Sequence, residues 1–265
     1  MKRLISVSII ALLVMLSIDI LGYSEAVSKA KKLESLEVTE RNFTLAPGKT
    51  KQLKYKKIPA DASLFANSRW YSSNPQVAAV DANGKVMAKK SGITIISFST
   101  WSNDYDDSAE TPDILCCVST TAPNAAAFTL SDVQFKSNNH KMDPSMTLSK
   151  AKKLFPNGRI IKNEYSGTTN YYHSNIMFGF YTKSGKLYGI GARDAKTPRG
   201  IRIGSNMIDV IAKYGYPTYL DGPEIAGTGL MLTYEVNGIG LVFSTEDDSD
   251  YLKVSAVGLY INDNN

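Results

Sequence analysis

Histidine is almost missing from this chain of 265 residues: His140 and His173 are the only two. Any general base of the imidazole kind must be one of them. His140 falls in an Asn-rich polar stretch and His173 follows two tyrosines ahead of an expected strand, and neither sits in a nucleophile signature such as Gly-x-Ser-x-Gly. The chain therefore reads as a non-enzyme. Cysteine is as scarce, with only the adjacent pair Cys116 and Cys117. Neighbouring strand residues point to opposite faces, so at most one of the two can enter a sandwich core, and bridging them would need a strained geometry. A disulfide framework is excluded. Two thiols from one position cannot complete a tetrahedral metal site without nearby His or carboxylate partners, which leaves pairing between molecules as the one open cysteine role. Runs of Lys and Arg interleaved with aromatics are also lacking, and the net charge of +5 is a mild excess. Nucleic acid is thus not an expected partner. The acidic loops at Asp104, Asp106 and Asp107 and at Glu246, Asp247, Asp248 and Asp250 lack the central Gly and closing Glu of a twelve-residue calcium loop, and read as solvated hairpin loops. No metal or cofactor is expected.

What is present begins with a leader. Lys2 and Arg3 precede an apolar run from Leu4 to Leu16, and Ser24-Glu25-Ala26 offers small residues for a signal peptidase. Residues 1–26 are expected to be an export signal. The alternative is a single membrane anchor, since apolar character continues to Leu21, but Asp19 would be costly in lipid. The absence of Cys near the end of the run argues against lipid attachment there. Cleavage would leave a mature chain with no membrane span and an unchanged net charge, because Lys2 and Arg3 leave together with Asp19 and Glu25. Lys29, Lys31 and Lys32 then form a solvated tether. The remainder, in a chain 43% hydrophobic, is long enough for two domains with their own cores.

Residues 33–119 carry the clearest pattern. Leu36–Leu45 and Lys51–Ile58 alternate apolar and polar positions, Ile93–Phe98 is an apolar strand after Gly92, and Ile114–Val118 is another. Val77–Val80 and Lys85–Ala88 flank Asn83-Gly84, a dipeptide suited to a two-residue type I′ turn. Six or seven short strands at roughly eight-to-twelve-residue spacing predict a two-sheet sandwich, with Trp70 as a plug between the sheets. The stretch from Trp70 to Gly92, with its Ser-Asn-Pro, Val-Ala-Ala-Val-Asp and Asn-Gly-Lys-Val segments, closely resembles the bacterial immunoglobulin-like domain of group 2. That resemblance implies an Ig-like β-sandwich and a surface or adhesion module that holds or binds and does not catalyse.

Thr, Ala, Pro and Asn dominate residues 120–127, which read as a linker. Residues 128–265 then hold an approximate internal duplication, about 128–195 and 196–262. Ser145–Pro156 and Ile203–Pro217 each start with a capping hydroxyl (Thr147, Ser205), run through a short amphipathic helix and stop at Pro156 or at Gly215 with Pro217 beyond. Leu148, Ala151 and Phe155 correspond to Met207, Val210 and Tyr214 on one helix face. Strands are expected at 160–165, 176–182 and 186–192 in the first half and at 230–235, 239–244 and 254–261 in the second, with a turn at Asn237-Gly238. A helix followed by meandering strands, twice, is an α+β domain with its helices on one sheet face, so that the fold as a whole is mostly β. Gly200-Ile-Arg-Ile-Gly-Ser-Asn-Met-Ile-Asp-Val-Ile-Ala-Lys-Tyr-Gly-Tyr-Pro217 resembles the repeat of the beta-lactamase-inhibitory-protein-like fold, also found in small outer-membrane-assembly lipoproteins. The first half departs from it, with no Gly before the helix and Phe155-Pro156 at its end. The resemblance implies a sheet face presented to partner proteins.

Eleven of the fifteen tyrosines fall between Tyr165 and Tyr260, and tyrosine supplies stiff contact area with a polar tip. Tyr171, Tyr172, Tyr181 and Tyr188 are the candidate binding surface. The expectation is a secreted or cell-surface binding or adhesion protein whose partner is a protein or a cell-surface glycan. An inhibitor of a hydrolase, inserting the loop Asp221–Gly229, and a cell-envelope glycan-active enzyme using paired carboxylates are the alternatives.

Overall fold

The computed structural model describes residues 31–221, 229–246 and 253–262. The expected leader, nearly all of the Asp221–Gly229 loop and Asp247, Asp248 and Asp250 lie outside the described residues. No described helix is long and apolar enough to cross a membrane.

Ten strands build the first part: β1 (Ser35–Val38), β2 (Asn42–Leu45), β3 (Thr50–Gln52), β4 (Tyr55–Ile58), β5 (Asn67–Ser72), β6 (Ala78–Val80), β7 (Lys85–Ala88), β8 (Gly92–Trp101), β9 (Ser108–Glu110) and β10 (Ile114–Val118). A sheet β2-β10-β8-β5, with β9 beside β8, faces the smaller sheets β3-β7-β6 and β1-β4. Two of the expected strands are each two strands. Leu36–Leu45 breaks between β1 and β2, and Lys51–Ile58 between β3 and β4, with the halves in different sheets. At each break the chain crosses the sandwich, and Leu36, Phe43 and Leu53 reach one core from several sides. Trp70 lies in that core, its ring 5.1 Å from Phe98 and 6.2 Å from Tyr55.

The hairpin of β6 and β7 forms where expected, but its turn is not the two-residue kind. Gly84 alone has positive φ (+80°), the Gly84 N–H closes back on the Asp81 carbonyl, and the Asp81 carboxylate accepts from the Asn83 and Lys85 N–H groups. Asp81 thus sets a longer turn. Gly84 is required there twice over, because a Cβ would also lie 2.8 Å from the Trp70 ring.

β10 reads as a continuous apolar run and is buried at every position, and its neighbour β8 is buried throughout its first half, Gly92–Ile96. Strands of that kind are covered on both faces. Ile96, Phe98, Ile114, Cys116 and Val118 point into the sandwich, whereas Ile93, Ile95, Leu115 and Cys117 belong to the buried cluster of the second part. The register Ile93↔Cys117 and Ile95↔Leu115 keeps these four on one side. The two cysteines are both free, one on each face. Burial pushes the Cys116 thiol up to about 12 and the Cys117 thiol up to about 11.

The second part holds a hairpin of β11 (Phe135–Ser137) and β12 (His140–Met142), then α1 (Leu148–Leu154), β13 (Arg159–Asn163), β14 (Thr168–His173), β15 (Ile176–Tyr181) and β16 (Leu187–Ala192), then α2 (Met207–Tyr214), β17 (Tyr219–Asp221), β18 (Met231–Val236), β19 (Ile239–Ser244) and β20 (Ala256–Ile261). One antiparallel sheet runs in the order β13-β14-β15-β16-β20-β19-β18-β17, so two four-strand meanders meet at β16 and β20. Each meander has one strand more than the pattern suggests, β14 in the first and β17 in the second. Thr147 caps α1, accepting from the Lys150 N–H, but Asn206 and not Ser205 caps α2, accepting from the Ile208 N–H. Asn237 and Gly238 both have positive φ between the paired Val236 and Ile239, a true two-residue turn.

A single cross-strand row, Tyr171-Phe178-Ile190-Leu259-Leu241-Tyr234, spans six strands on the helix side of the sheet. All six are buried and pack with Phe155, Met207, Val210 and Tyr214 of the helix layer. The outer side of that layer meets β8 and β10: α2 contacts β8, and the Thr44 and Tyr216 hydroxyls bond at 2.9 Å. The two parts are therefore joined through buried apolar residues, with residues 119–127 running alongside the joint. Arg199 secures that segment. Its Nε and Nη2 donate to the two Asp132 oxygens, each at 2.7 Å, and its remaining N–H groups donate to the carbonyls of Ala126, Ala127 and Lys213 at 2.7–2.8 Å.

Candidate binding face

The chain places its tyrosines by strand parity. Within Thr168–His173, residues 169, 171 and 173 point to the helices and 168, 170 and 172 away from them. Tyr171 is thus not a surface residue: it is 2% exposed. Its hydroxyl donates to the Phe155 carbonyl at the end of α1 and accepts from the Gly158 N–H at 2.9 Å. Tyr234 of β18 does the same in the second half, donating to the Gly215 carbonyl at the end of α2 at 2.9 Å. Tyr172, Tyr181 and Tyr188 stay half-exposed on the face that carries no helix.

On that open face a second row runs Asn170-Gly179-Gly189-Tyr260-Gly240-Glu235 across the same six strands. Two tyrosines lie flat over two of its glycines. A Cβ on Gly179 would fall 2.2 Å from the Tyr188 ring, and one on Gly240 would fall 2.0 Å from the Tyr260 ring. The glycines leave the strand backbone bare and the rings cover it. Each ring then reaches the end of the row: the Tyr188 hydroxyl donates to Asn170 Oδ1 at 2.6 Å, and the Tyr260 hydroxyl donates to Glu235 Oε2. Burial raises the Tyr188 pKa. The Tyr260 pKa is raised by burial first and by the Glu235 carboxylate next, with Tyr219 and Asp221 adding to it. The halves are alike in geometry and differ in charge, with a neutral amide at one end and a carboxylate at the other.

Around the rows stand Tyr181, 5.4 Å from Tyr188, and Tyr172, with the Arg159 guanidinium 5.7 Å over its ring. Tyr219 at the far edge is 52% exposed. A shallow groove bounded by Tyr172, Met177, Gly191, Arg193 and Ala256 closes one end, where Arg193 pairs with Glu246 at 3.0 Å. Tyr219, Glu235 and Tyr260 were not among the candidates from sequence. The available signal was the glycine spacing in Gly179, Gly189-x-Gly191, Gly240 and Gly258, which marks one sheet face as poor in side chains, with rings over Gly179 and Gly240.

The histidines sit elsewhere. His140 opens β12 and His173 ends β14, each with its ring 5.5 Å from that of Phe155. They pack on the end of α1 at Phe155. Among the described residues, no group of three or more His, Cys, Asp and Glu is placed to hold a metal ion.

Residues 32–103 match the family model of the bacterial Ig-like domain (group 2), so the first resemblance holds. The match ends inside the sandwich, short of β9 and β10. Domains of this group occur in extracellular or surface proteins. No curated protein matches the chain. Among solved structures, a DUF4784 family protein from Bacteroides caccae ATCC 43185 is similar at 9% sequence identity and a TM-score of 0.20, the match covering 89% of this chain and 71% of that one. A likeness so distant carries no argument. The resemblance of the second part to the beta-lactamase-inhibitory-protein-like fold is not shown by these comparisons.

Proposed function

We propose that this is an exported, non-enzymatic binding protein in which residues 33–119 form a surface module and residues 128–262 a recognition domain, with the helix-free sheet face as the recognition surface. The observation that carries this reading is the paired arrangement of Tyr188 over Gly179 and Tyr260 over Gly240. Rings that lie flat, hydrogen-bonded at their tips, lose little freedom when a partner lands on them. The repeated order of helix and four-strand meander, and the matching bonds from Tyr171 and Tyr234 to their helix ends, support an internal duplication of the beta-lactamase-inhibitory-protein-like kind. The joint through Ile93, Ile95, Leu115 and Cys117 makes the Ig-like module a fixed support for the recognition domain and not a free spacer.

The test is retention of envelope or host-surface protein and glycan by the immobilised full chain, compared with a face variant (Tyr172→Ser with Tyr181→Ser) and a module variant (Tyr71→Ser). The reading predicts loss of the partner with the first and retention with the second. Equal retention by all three, or release of a cleaved glycan, refutes it.

A further inference from the structure

The two ends of the tyrosine-covered row differ in one respect that bears on the partner's chemistry. At the Asn170 end the sheet supplies its own cation, since Arg159 from the neighbouring edge strand stands 5.7 Å over Tyr172 on the same face. At the other end the charges are reversed and unanswered. Glu235 and Asp221 lie on the open face with Tyr219 and Tyr260 between β17 and β20. Among the described residues, no Lys or Arg forms an ion pair with either carboxylate. Tyr260 occupies one acceptor position of Glu235, and a carboxylate has about four. Tyrosine faces beside an unpaired carboxylate form the environment that a guanidinium or ammonium group takes, through a charge-assisted hydrogen bond and a cation–π contact together.

We infer that the Glu235–Tyr260 end of the face is the specificity subsite of the binding surface, and that it receives an Arg or Lys side chain from a basic segment of a partner protein. This rests on the proposed use of the face and adds the sign of the partner's charge. A basic protein segment fits better than a neutral glycan, which would gain nothing from the replacement of Asn170 by a carboxylate at the equivalent end. It also fits better than a second copy pairing through the same face, because among the described residues Arg159 there is already engaged with Tyr172 and Arg193 with Glu246.

The experiment is an NMR titration of the full chain with three defined probes: Nα-acetyl-arginine amide, Nα-acetyl-glutamate amide and N-acetylglucosamine. The inference predicts saturable shifts at Tyr219, Glu235, Gly240 and Tyr260 with the arginine probe and no matching response at Asn170, Gly179 and Tyr188. The glutamate and sugar probes should leave both ends unmoved. Glu235→Gln keeps an acceptor for the Tyr260 hydroxyl and should weaken the arginine probe at least about fivefold, with an unchanged thermal midpoint showing that the variant is folded. Equal binding in Glu235→Gln, equal shifts at both ends, or a response to the sugar alone overturns it. So does concentration-dependent broadening of this face without any probe, which would identify a second copy as the occupant. Should the arginine probe fail while the Tyr172→Ser, Tyr181→Ser variant still loses its retained partner, the face reading stands and only the cation is wrong.

Discussion

Arg199 gives the most decisive perturbation because all five of its N–H donors are used and three segments converge on it: residues 126–127, Asp132 and the end of α2, where it meets the Lys213 carbonyl and stands 4.7 Å from the Tyr214 ring. The Arg199 and Asp132 side chains are 17% and 9% exposed. Removing one partner of so well enclosed a pair costs about 3–5 kcal/mol, since the other charge and three carbonyls are left behind. At about 2–4 °C per kcal/mol for a chain of this size, Arg199→Ala should lower the melting midpoint by roughly 6–20 °C. Arg199→Lys, with three donors and no fork, should lose about half as much. The readout is unusually clean. The only tryptophans, Trp70 and Trp101, lie in β5 and β8 of the sandwich, far in sequence from Arg199, so their fluorescence reports the first part while far-UV circular dichroism reports both. If the joint couples the parts, loosening the second uncovers Ile93, Ile95, Leu115 and Cys117, and the two transitions move down together. A tryptophan transition that stays put while the dichroism splits into two steps refutes the coupling. Acid supplies a second arm. Burial alone would raise the Asp132 pKa, but the Arg199 hydrogen bonds and charge and the Thr129 N–H outweigh it and hold the carboxyl below the usual aspartate value. A lowered folded-state pKa contributes stability that is complete above the unfolded value of about 3.9 and is lost as pH falls from there through the folded value. Asp132→Asn should therefore flatten the acid limb of the stability curve.

Three further outcomes are expected. Ile95→Asp sets an unpaired charge in the joint, so maleimide labelling at neutral pH should reach Cys117 well before Cys116, read from the fragment ions that separate the two adjacent residues in tandem mass spectrometry; equal labelling of the two contradicts their placement on opposite faces. Tyr234→Phe removes one bond to a helix-end carbonyl and Tyr171→Phe removes the matching bond together with that from the Gly158 N–H, so urea unfolding should show a loss of about 1–2 kcal/mol for the first, a larger one for the second, and their sum in the double variant; a neutral effect of either contradicts the proposed likeness of the two halves. Gly179→Ala places a methyl where the Tyr188 ring lies, so the ring should lift off with a cost of about 1–3 kcal/mol and a changed Tyr188 ring shift. An unmoved ring contradicts the close approach.

Period and punctuation made much of this legible in advance. The apolar run of Ile114–Val118 and the adjacency of Cys116 and Cys117 implied two opposed faces, and the structure adds that both are covered. Thr147, Gly215 and the Asn237-Gly238 turn were readable because each acts through its own backbone. Ser205 misled because Asn206 next to it is an equally good cap, and Ser205 instead accepts from the Arg202 N–H. Thr168–His173 escaped notice because its outward positions, Thr168, Asn170 and Tyr172, are polar or amphipathic, and without that strand the parity of Tyr171 could not be assigned. The open face was half legible: tyrosine enrichment pointed to it, but Glu235 and Tyr260 meet only through a register that brings β18, β19 and β20 together.

Tyrosine footprinting reads the recognition face itself. With the full chain bound to the partner it retains, nitration or radical oxidation should be suppressed at Tyr172, Tyr181, Tyr188, Tyr219 and Tyr260 and unchanged at Tyr71 and Tyr105, which are 52% and 75% exposed on the Ig-like module. Protection of Tyr71 and Tyr105 with the helix-free face left reactive would place recognition on the module and contradict the account.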